Sequence, residues 1–168
     1  MEIVVTLYPL QPSFERNYTT EFAPEWVVIG GLQFQPLSIP LLHACFANPK
    51  LPLTNAFASR AEEVGCKFRK ELEKEHIFLF DILALDLNYG YKHTYKELKS
   101  MNGTDVVNIN HLYELWRDAV AKKEEFLTFK FIDDGRIVLE TQMVEDEKEQ
   151  LMEDHRLPDV VSQGILNV

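Results

Sequence analysis

Cysteine is scarce in this sequence, which excludes a fold held together by a disulfide framework. Only Cys45 and Cys66 occur among the 168 residues. Their spacing matches neither a metal-binding nor a redox motif, so we interpret both as reduced, partly buried thiols of an intracellular or organellar protein. The histidines do not pair at a metal-ligand spacing either, and they are His43, His76, His93, His111 and His155. No metal and no cofactor are therefore expected.

Basic residues and long apolar runs are also lacking. Lysine and arginine number 17 against 27 aspartates and glutamates, which gives a formal net charge of −10 at pH 7. Nucleic-acid binding depends on clustered positive charge, so this balance argues against a nucleic-acid partner. No window approaches the roughly 20 apolar residues of a transmembrane helix, so no membrane span is expected.

What is present is the composition of an ordinary globular domain. Hydrophobic residues make up 46% of the chain and charged residues 26%. A chain of this length buries roughly two-thirds of its unfolded surface when it folds, so no metal or disulfide is needed to hold it. The N-terminus leads directly into a strand pattern over Glu2 to Leu10 without a basic or cleavable leader. Either the protein has no targeting peptide or the sequence is an excised piece.

The stretch from Trp26 to Ser38 organises the rest of the chain. It begins with a β-branched run, Val27–Ile29, that suits a buried strand. Gly30 and Gly31 then permit positive φ and can point several backbone N–H groups the same way, as in a small anion nest. Such a loop can accept the C-terminal carboxylate of a peptide that adds a strand to the sheet. A plain turn is the alternative interpretation.

Helical and strand patterns alternate after this stretch. Proline at a first-turn position predicts a short helix over Ile39 to Phe46. Apolar residues at helical spacing predict a long helix from Thr54 or Asn55 to about His76. The apolar run from Ile77 to Leu87 predicts a strand, and Asn102-Gly103 predicts a hairpin turn.

A capped helix and a hairpin follow in the C-terminal half. Asn108 is a predicted N-cap for an amphipathic helix. The clearest hairpin joins Phe126–Ile132 to Arg136–Thr141 through the turn Asp133-Asp134-Gly135. An acidic helix is predicted over Glu145 to His155, followed by a docked or frayed tail.

Four separated motifs carry a family resemblance. They are Val28-Ile-Gly-Gly-Leu-Gln-Phe-Gln-Pro-Leu-Ser38, Asn88-Tyr-Gly-Tyr91, Met101-Asn-Gly-Thr104 with Asn108-Ile-Asn-His-Leu112, and Glu125-Phe-Leu-Thr-Phe-Lys-Phe131 with Ile137-Val-Leu-Glu-Thr141. In this order they resemble the C-terminal, second PDZ domain of eukaryotic Deg/HtrA-type serine proteases. The resemblance implies an α+β fold, namely a PDZ-like partly open β-barrel or sandwich with capping helices and an inserted long helix.

The resemblance also implies a peptide-binding groove between a loop and a helix. The carboxylate-binding loop corresponds to Gly30, Gly31, Leu32, Gln33 and Phe34, and the groove helix carries His111, Leu112, Leu115 and Trp116. His111 is either a reader of a peptide hydroxyl or an exposed first-turn histidine. Pro36 falls inside the strand that the peptide would pair with, and proline lacks the N–H that a ladder needs. Tyr113 and Trp116 are bulky enough to fill the groove from within.

The same resemblance divides the chain. Residues 1–24 would be the last strand of a preceding PDZ domain plus a linker, 25–143 the PDZ-like domain with inserted helices near 39–76, and 144–168 a C-terminal helix and tail. A trypsin-like protease domain would come before them, in a plastid, mitochondrion or nucleus. The chain has no Gly-Asn-Ser-Gly-Gly nucleophile loop, so it is not expected to cleave peptides through a serine triad.

Three functions follow from these observations. The leading one is a non-catalytic interaction domain of a Deg/HtrA-type serine endopeptidase. It would contact the protease and first PDZ domains of the same protein and support homo-oligomer assembly and regulation. The second is capture of substrate peptides by β-strand addition. The third is an independent enzyme that uses acidic residues, and its candidates are Asp81, Asp86, Asp133 and Asp134. The hairpin turn explains the last two better.

Overall fold

An antiparallel sheet forms the centre of the fold. The computed structural model describes residues 24–48, 51, 53–67, 74–92 and 94–166. The strands are β1 (Val27–Ile29), β2 (Leu32–Pro36), β3 (Ile77–Ile82), β4 (Lys96–Met101), β5 (Thr104–Asp105), β6 (Phe126–Phe131) and β7 (Arg136–Glu140). Their order across the sheet is β1-β2-β3-β4-β6-β7, and β5 pairs with β4. The predicted strand over Glu2 to Leu10 lies outside the described residues.

Helices pack on both faces of this sheet. They are α1 (Ile39–Ala47), α2 (Asn55–Gly65), α3 (Ile109–Ala121), α4 (Thr141–Asp146), α5 (Lys148–His155) and α6 (Gln163–Leu166), with a short 3-10 helix at Asp86–Asn88. Helices α1 and α2 form an insertion between β2 and β3. The mixed, antiparallel arrangement confirms the α+β class that the sequence predicted.

Strand β3 separates two hydrophobic cores because its side chains are buried on both faces. Ile77 and Leu79 join the main core, where α3 packs against β1 and β2. Phe78 and Phe80 point the other way and join a second core with α1 and α2. The period of two along a strand accounts for this division. The insertion therefore adds a layer on the face of β3 opposite the main core.

Phe57 is the centre of the second core. Its ring on α2 is buried and lies 5.6 Å from the Phe78 ring and 5.3 Å from the Tyr95 ring, measured between centroids. Aromatic pairs at these separations gain energy beyond their buried area. This side chain therefore anchors the insertion to the sheet.

Polar caps define the starts of the three longer helices in the first two-thirds of the chain. The Ser38 hydroxyl accepts from the Leu41 N–H at 3.3 Å, and the Thr54 hydroxyl accepts from the Phe57 N–H at 3.1 Å. Asn108 Oδ1 accepts from the His111 N–H at 2.8 Å, as the sequence predicted for this N-cap. Each bond satisfies an otherwise unpaired amide of the first turn.

Helix α2 ends earlier than the apolar spacing predicted. It stops at Gly65, with Cys66 as its C-cap, whereas the prediction extended it to about His76. Glycine weakens a helix interior, which favours an end at this residue. His76 lies outside any helix, and its carbonyl accepts from the Leu37 N–H at 2.8 Å. At His76 the chain therefore already bonds to the residue after β2.

Two other boundaries differ from the sequence prediction. Strand β3 ends at Ile82 and not at Leu87, because the Leu83 carbonyl accepts from the Asn88 side chain at 2.7 Å and a 3-10 helix follows. The acidic helix predicted over Glu145 to His155 is two helices, α4 and α5, which meet at Glu147. Periodicity could not show either break, since the apolar spacing continues across both.

A buried carboxylate on β4 joins the insertion to the sheet. Glu97 is 8% exposed, accepts from Arg60 Nε at 2.5 Å, and lies 2.6 Å from His76 Nδ1. Burial alone raises the pKa of Glu97, but the bonds from His76 and Arg60 outweigh it, so the pKa lies below its usual value. Lys67 and Arg60 together lower the pKa of the exposed Glu63 to about 2.

Replacing Phe57 with alanine should detach the insertion from the sheet. The substitution removes a buried ring and leaves a cavity among aromatic neighbours, so we expect a loss of about 3 to 5 kcal/mol in the free energy of unfolding. Phe46, which is more than half exposed on α1, gives the control, and Phe46→Ala should cost far less. Urea unfolding followed by far-ultraviolet circular dichroism measures both. Equal losses would contradict the assignment of Phe57 as the anchor.

The Glu97 contacts should make stability depend on acid pH. Glutamate has a pKa of about 4.3 in unfolded chains, and the folded value is lower, so ionisation favours the folded state. This contribution is complete above the unfolded pKa and disappears as pH falls through the folded one. Glu97→Gln should therefore cost about 2 kcal/mol at neutral pH and less at acid pH, below the unfolded value of about 4.3.

The control is Glu62→Gln, since Glu62 is exposed on α2 and makes no ion pair in the described part of the chain. Its effect should be small at both pH values. Unfolding free energies from urea titrations give the comparison. A loss for Glu97→Gln that stays constant with pH would show that charge is not the cause.

Candidate peptide-binding site

Two glycines make the turn between β1 and β2. Gly30 has φ of 54° and Gly31 has φ of 80°. Ile29 pairs with Leu32 across them, so the glycines are the central residues of a two-residue hairpin. Positive φ at both positions is the geometry of a type I′ turn, which glycine adopts without strain.

The turn is buried in the main core. A Cβ added at Gly30 would lie 2.6 Å from Leu139 Cδ1, and one added at Gly31 would lie 2.3 Å from the Leu83 carbonyl oxygen. Neither position has room for a side chain. Glycine is therefore needed here both for its backbone conformation and for its small size.

Asn88 holds this turn in place, a role that sequence reasoning missed. Its side chain is 3% exposed, and Nδ2 donates to the Gly30 carbonyl at 3.0 Å and the Leu83 carbonyl at 2.7 Å. Its Oδ1 accepts from the Leu85 N–H at 3.2 Å. The sequence signal for this role was the single asparagine directly after the apolar run Ile77 to Leu87, in the motif Asn88-Tyr-Gly-Tyr91.

Strand β2 has hydrogen-bonded neighbours on both sides. Phe34 pairs with Val27 of β1 and with Leu79 of β3. The Leu37 N–H donates toward β3, to the His76 carbonyl, so alternation places the Pro36 nitrogen on the opposite side, toward β1. Pro36 therefore costs the β2–β3 ladder nothing. A peptide that paired with β2 would have to take the place of β1.

The C-terminal tail covers the outer edge of β1. The Val28 N–H donates to the Val160 carbonyl at 2.7 Å, and the Ser162 N–H donates to the Trp26 carbonyl at 3.0 Å. The Trp26 N–H also donates to the Ser162 hydroxyl at 3.2 Å. The Val160 side chain is buried in the main core. Of the two alternatives for the tail, docked or frayed, residues 160–165 are docked.

The predicted groove residues meet inside the main core. Leu32 and Phe34 of β2 share it with Leu112 and Trp116 of α3, and all four are buried. Gln33, His111 and Leu115 are half-buried at its margin. Trp116 thus fills the space between helix and sheet, as its size allowed. Its Nε1 is buried and has no hydrogen-bond partner among the described residues.

His111 is used within the chain at the start of α3. Its Nδ1 accepts from the Val107 N–H at 3.2 Å, and its own backbone N–H is bound by Asn108. Glu75 adds a second cap, since its Oε2 accepts from the Ile109 N–H at 3.1 Å. These bonds tie the end of the insertion to the helix and occupy one ring nitrogen of His111.

The acidic candidates serve turns and strand ends. Asp81 Oδ1 accepts from the Ile82 N–H at 2.8 Å. Asp133 accepts from Lys96 Nζ at 2.6 Å and from the Gly135 N–H at 3.1 Å, in the predicted hairpin turn. Throughout the described ranges, no cluster of histidine, cysteine, aspartate and glutamate could hold a metal ion. Among those residues, too, no helix is long and apolar enough to cross a membrane.

A glycine hairpin beside a capped helix, on an antiparallel sheet, fits a PDZ-like α+β fold. A family model described as "PDZ domain" matches residues 16–164, so the chain belongs to the PDZ domain family. The chain is also 28% identical over 145 residues to "Protease Do-like 2, chloroplastic" from Arabidopsis thaliana. That alignment covers 85% of this chain and 22% of the relative, so the chain spans about a fifth of the relative's length.

The comparisons confirm a PDZ domain related to those of Deg/HtrA-type proteases. The division of the chain at residues 24 and 143 stays a prediction. The binding roles of Gly30 to Phe34 and of the α3 residues also stay predictions, because the geometry gives their positions and not a ligand.

The Gly31 position should tolerate no side chain. Gly31→Ala places a methyl group against the Leu83 backbone at a residue with positive φ, so we expect a loss of about 3 kcal/mol or more. Gly103 is the matched control, with φ of 84° and nothing within 4 Å of an added Cβ. Gly103→Ala should cost only about 1 kcal/mol, from backbone conformation. Similar losses in chemical denaturation would contradict the close packing of the Gly31 turn.

Proposed function

We propose that this chain is a non-catalytic interaction domain of a Deg/HtrA-type serine endopeptidase, and that it supports assembly and regulation of the parent protein. Its partners are the protease and first PDZ domains of the same protein and further copies of that protein. Residues 1–24 supply the last strand of the preceding domain in this proposal. The family match and the Arabidopsis relative support an interaction domain of this class.

One observation carries the preference for assembly over peptide capture. The edge of β2 that a peptide would occupy is taken by β1, and the outer edge of β1 is covered by residues 160–162. Displacing these segments would expose buried apolar side chains such as Val27 and Val160. That exposure has a large unfavourable cost, so this domain binds other polypeptide through different surfaces.

Peptide capture is the second candidate, and the small size of the covering segment favours it. Strand β1 is only three residues long. A peptide that displaced β1 would meet the predicted loop, Gly30 to Phe34, and the half-buried His111 and Leu115 of α3. The loop amides would then bind its carboxylate.

A parent protease from which residues 24–166 are deleted should form smaller oligomers than the intact protein. We expect its cleavage of a short unstructured peptide to continue, because the chain carries no part of a serine triad. Light scattering after size-exclusion chromatography gives the mass of each form. The mass divided by the subunit mass gives the number of subunits, and an unchanged number would reject the assembly role.

Titration of the 168-residue chain with a library of fluorescent peptides that end in a free carboxylate separates the two candidates. We expect no binding tighter than about 100 μM, because β2 has no free edge. Micromolar binding that is lost in Leu115→Glu and kept in Glu114→Lys would reject the assembly-only proposal. Leu115 and Glu114 are neighbours on α3, half-buried and exposed respectively, so the pair separates the groove side from the solvent side.

A further inference from the structure

The outer edge of β7 faces the 3-10 helix Asp86–Asn88 and the Tyr91 side chain that follows it. Strand β7 pairs with β6 on one side and is the last strand in the sheet order. On its other side, the Tyr91 hydroxyl accepts from the Val138 N–H and donates to the Val138 carbonyl, each at 3.2 Å. These two groups are the donor and acceptor that a further antiparallel strand would use. The Tyr91 hydroxyl thus occupies the position at which the backbone of a neighbouring strand would pair.

The charges on β7 are arranged symmetrically around Val138. Arg136 and Glu140 are exposed, lie two positions to either side, and make no ion pair in the described part of the chain. When two copies of β7 run antiparallel with Val138 opposite itself, Arg136 of each copy lies opposite Glu140 of the other. Two favourable cross-strand pairs then form. A register centred on Arg136 would place like charges together, so the charges specify one register.

The face beside this edge carries apolar groups that no helix covers within the described residues. Val138 is 37% exposed. Phe126 of β6, which pairs with Glu140 of β7, is 46% exposed. Helices α1 and α2 lie over β3, and their core includes no residue of β6 or β7. Pairing through β7 would bring the Val138 side chains of two copies together and bury them.

We infer that β7 is a self-association edge, at which a second copy of this chain pairs antiparallel after Tyr91 and the adjoining 3-10 helix move away from β7. The inference rests on the proposed assembly role and names one surface that serves it. The second copy is the occupant because the charge pattern of β7 is complementary to itself. In the single copy, Tyr91 satisfies the exposed groups of Val138 and keeps the edge from pairing indiscriminately.

Charge reversal tests the pairing register in the 168-residue chain. Sedimentation equilibrium should detect a dimer in the wild type, and Arg136→Glu or Glu140→Arg alone should weaken it about tenfold, because each places like charges opposite one another. The double variant R136E/E140R restores both pairs and should recover the wild-type dimer. Circular dichroism confirms that each variant folds.

Tyr91→Phe tests the displacement step. It removes the hydroxyl that competes for Val138 and keeps the ring, so dimerisation should become several-fold tighter. An unchanged or weaker dimer would overturn this step. A dimer insensitive to both charge reversals would overturn the β7 surface while leaving the assembly role intact, since that role is judged by the mass of the parent protease. A chain that stays monomeric up to about 1 mM would overturn the inference altogether.

Discussion

The contact between the Gly30-Gly31 turn and the buried Asn88 is the constraint on which the rest of the structure depends. Only residues without a Cβ can bring this turn against the Leu83 backbone, and Asn88 satisfies the carbonyl groups that are buried as a result. Because the turn is tight, β1 folds directly back on β2. A peptide would pair with the edge of β2. Here β1, which the turn joins to β2, occupies that edge.

As a result, four residues of the predicted groove are buried in the main core. Leu32 and Phe34 pack with Leu112 and Trp116, and the tail at Val160 seals the outer side of β1. The domain belongs to the PDZ family, whose general chemistry is recognition of polypeptide by strand addition. Here β1 of the same chain pairs with β2 in place of a peptide. The proposed intermolecular contacts therefore use other surfaces, such as the outer edge of β7.

The insertion illustrates how an added layer is attached to an existing sheet. Phe57 supplies apolar contact on one side of β3, and Glu97 supplies a buried polar contact to Arg60 and His76. Removing Arg60 or His76 would be costly because the Glu97 charge would stay buried. The insertion is thus held by two different interactions, one apolar and one electrostatic.

Local patterns in the sequence determined the α+β class, the helix starts at Ser38, Thr54 and Asn108, and the two hairpins, because capping and turn chemistry act within a few residues. They did not determine where α2 and β3 end, since apolar spacing continues past Gly65 and Ile82. Tertiary structure alone decided that residues 160–162 cover the outer edge of β1 and that Tyr91 covers Val138. Both depend on contacts between residues distant in the chain, which no local pattern records.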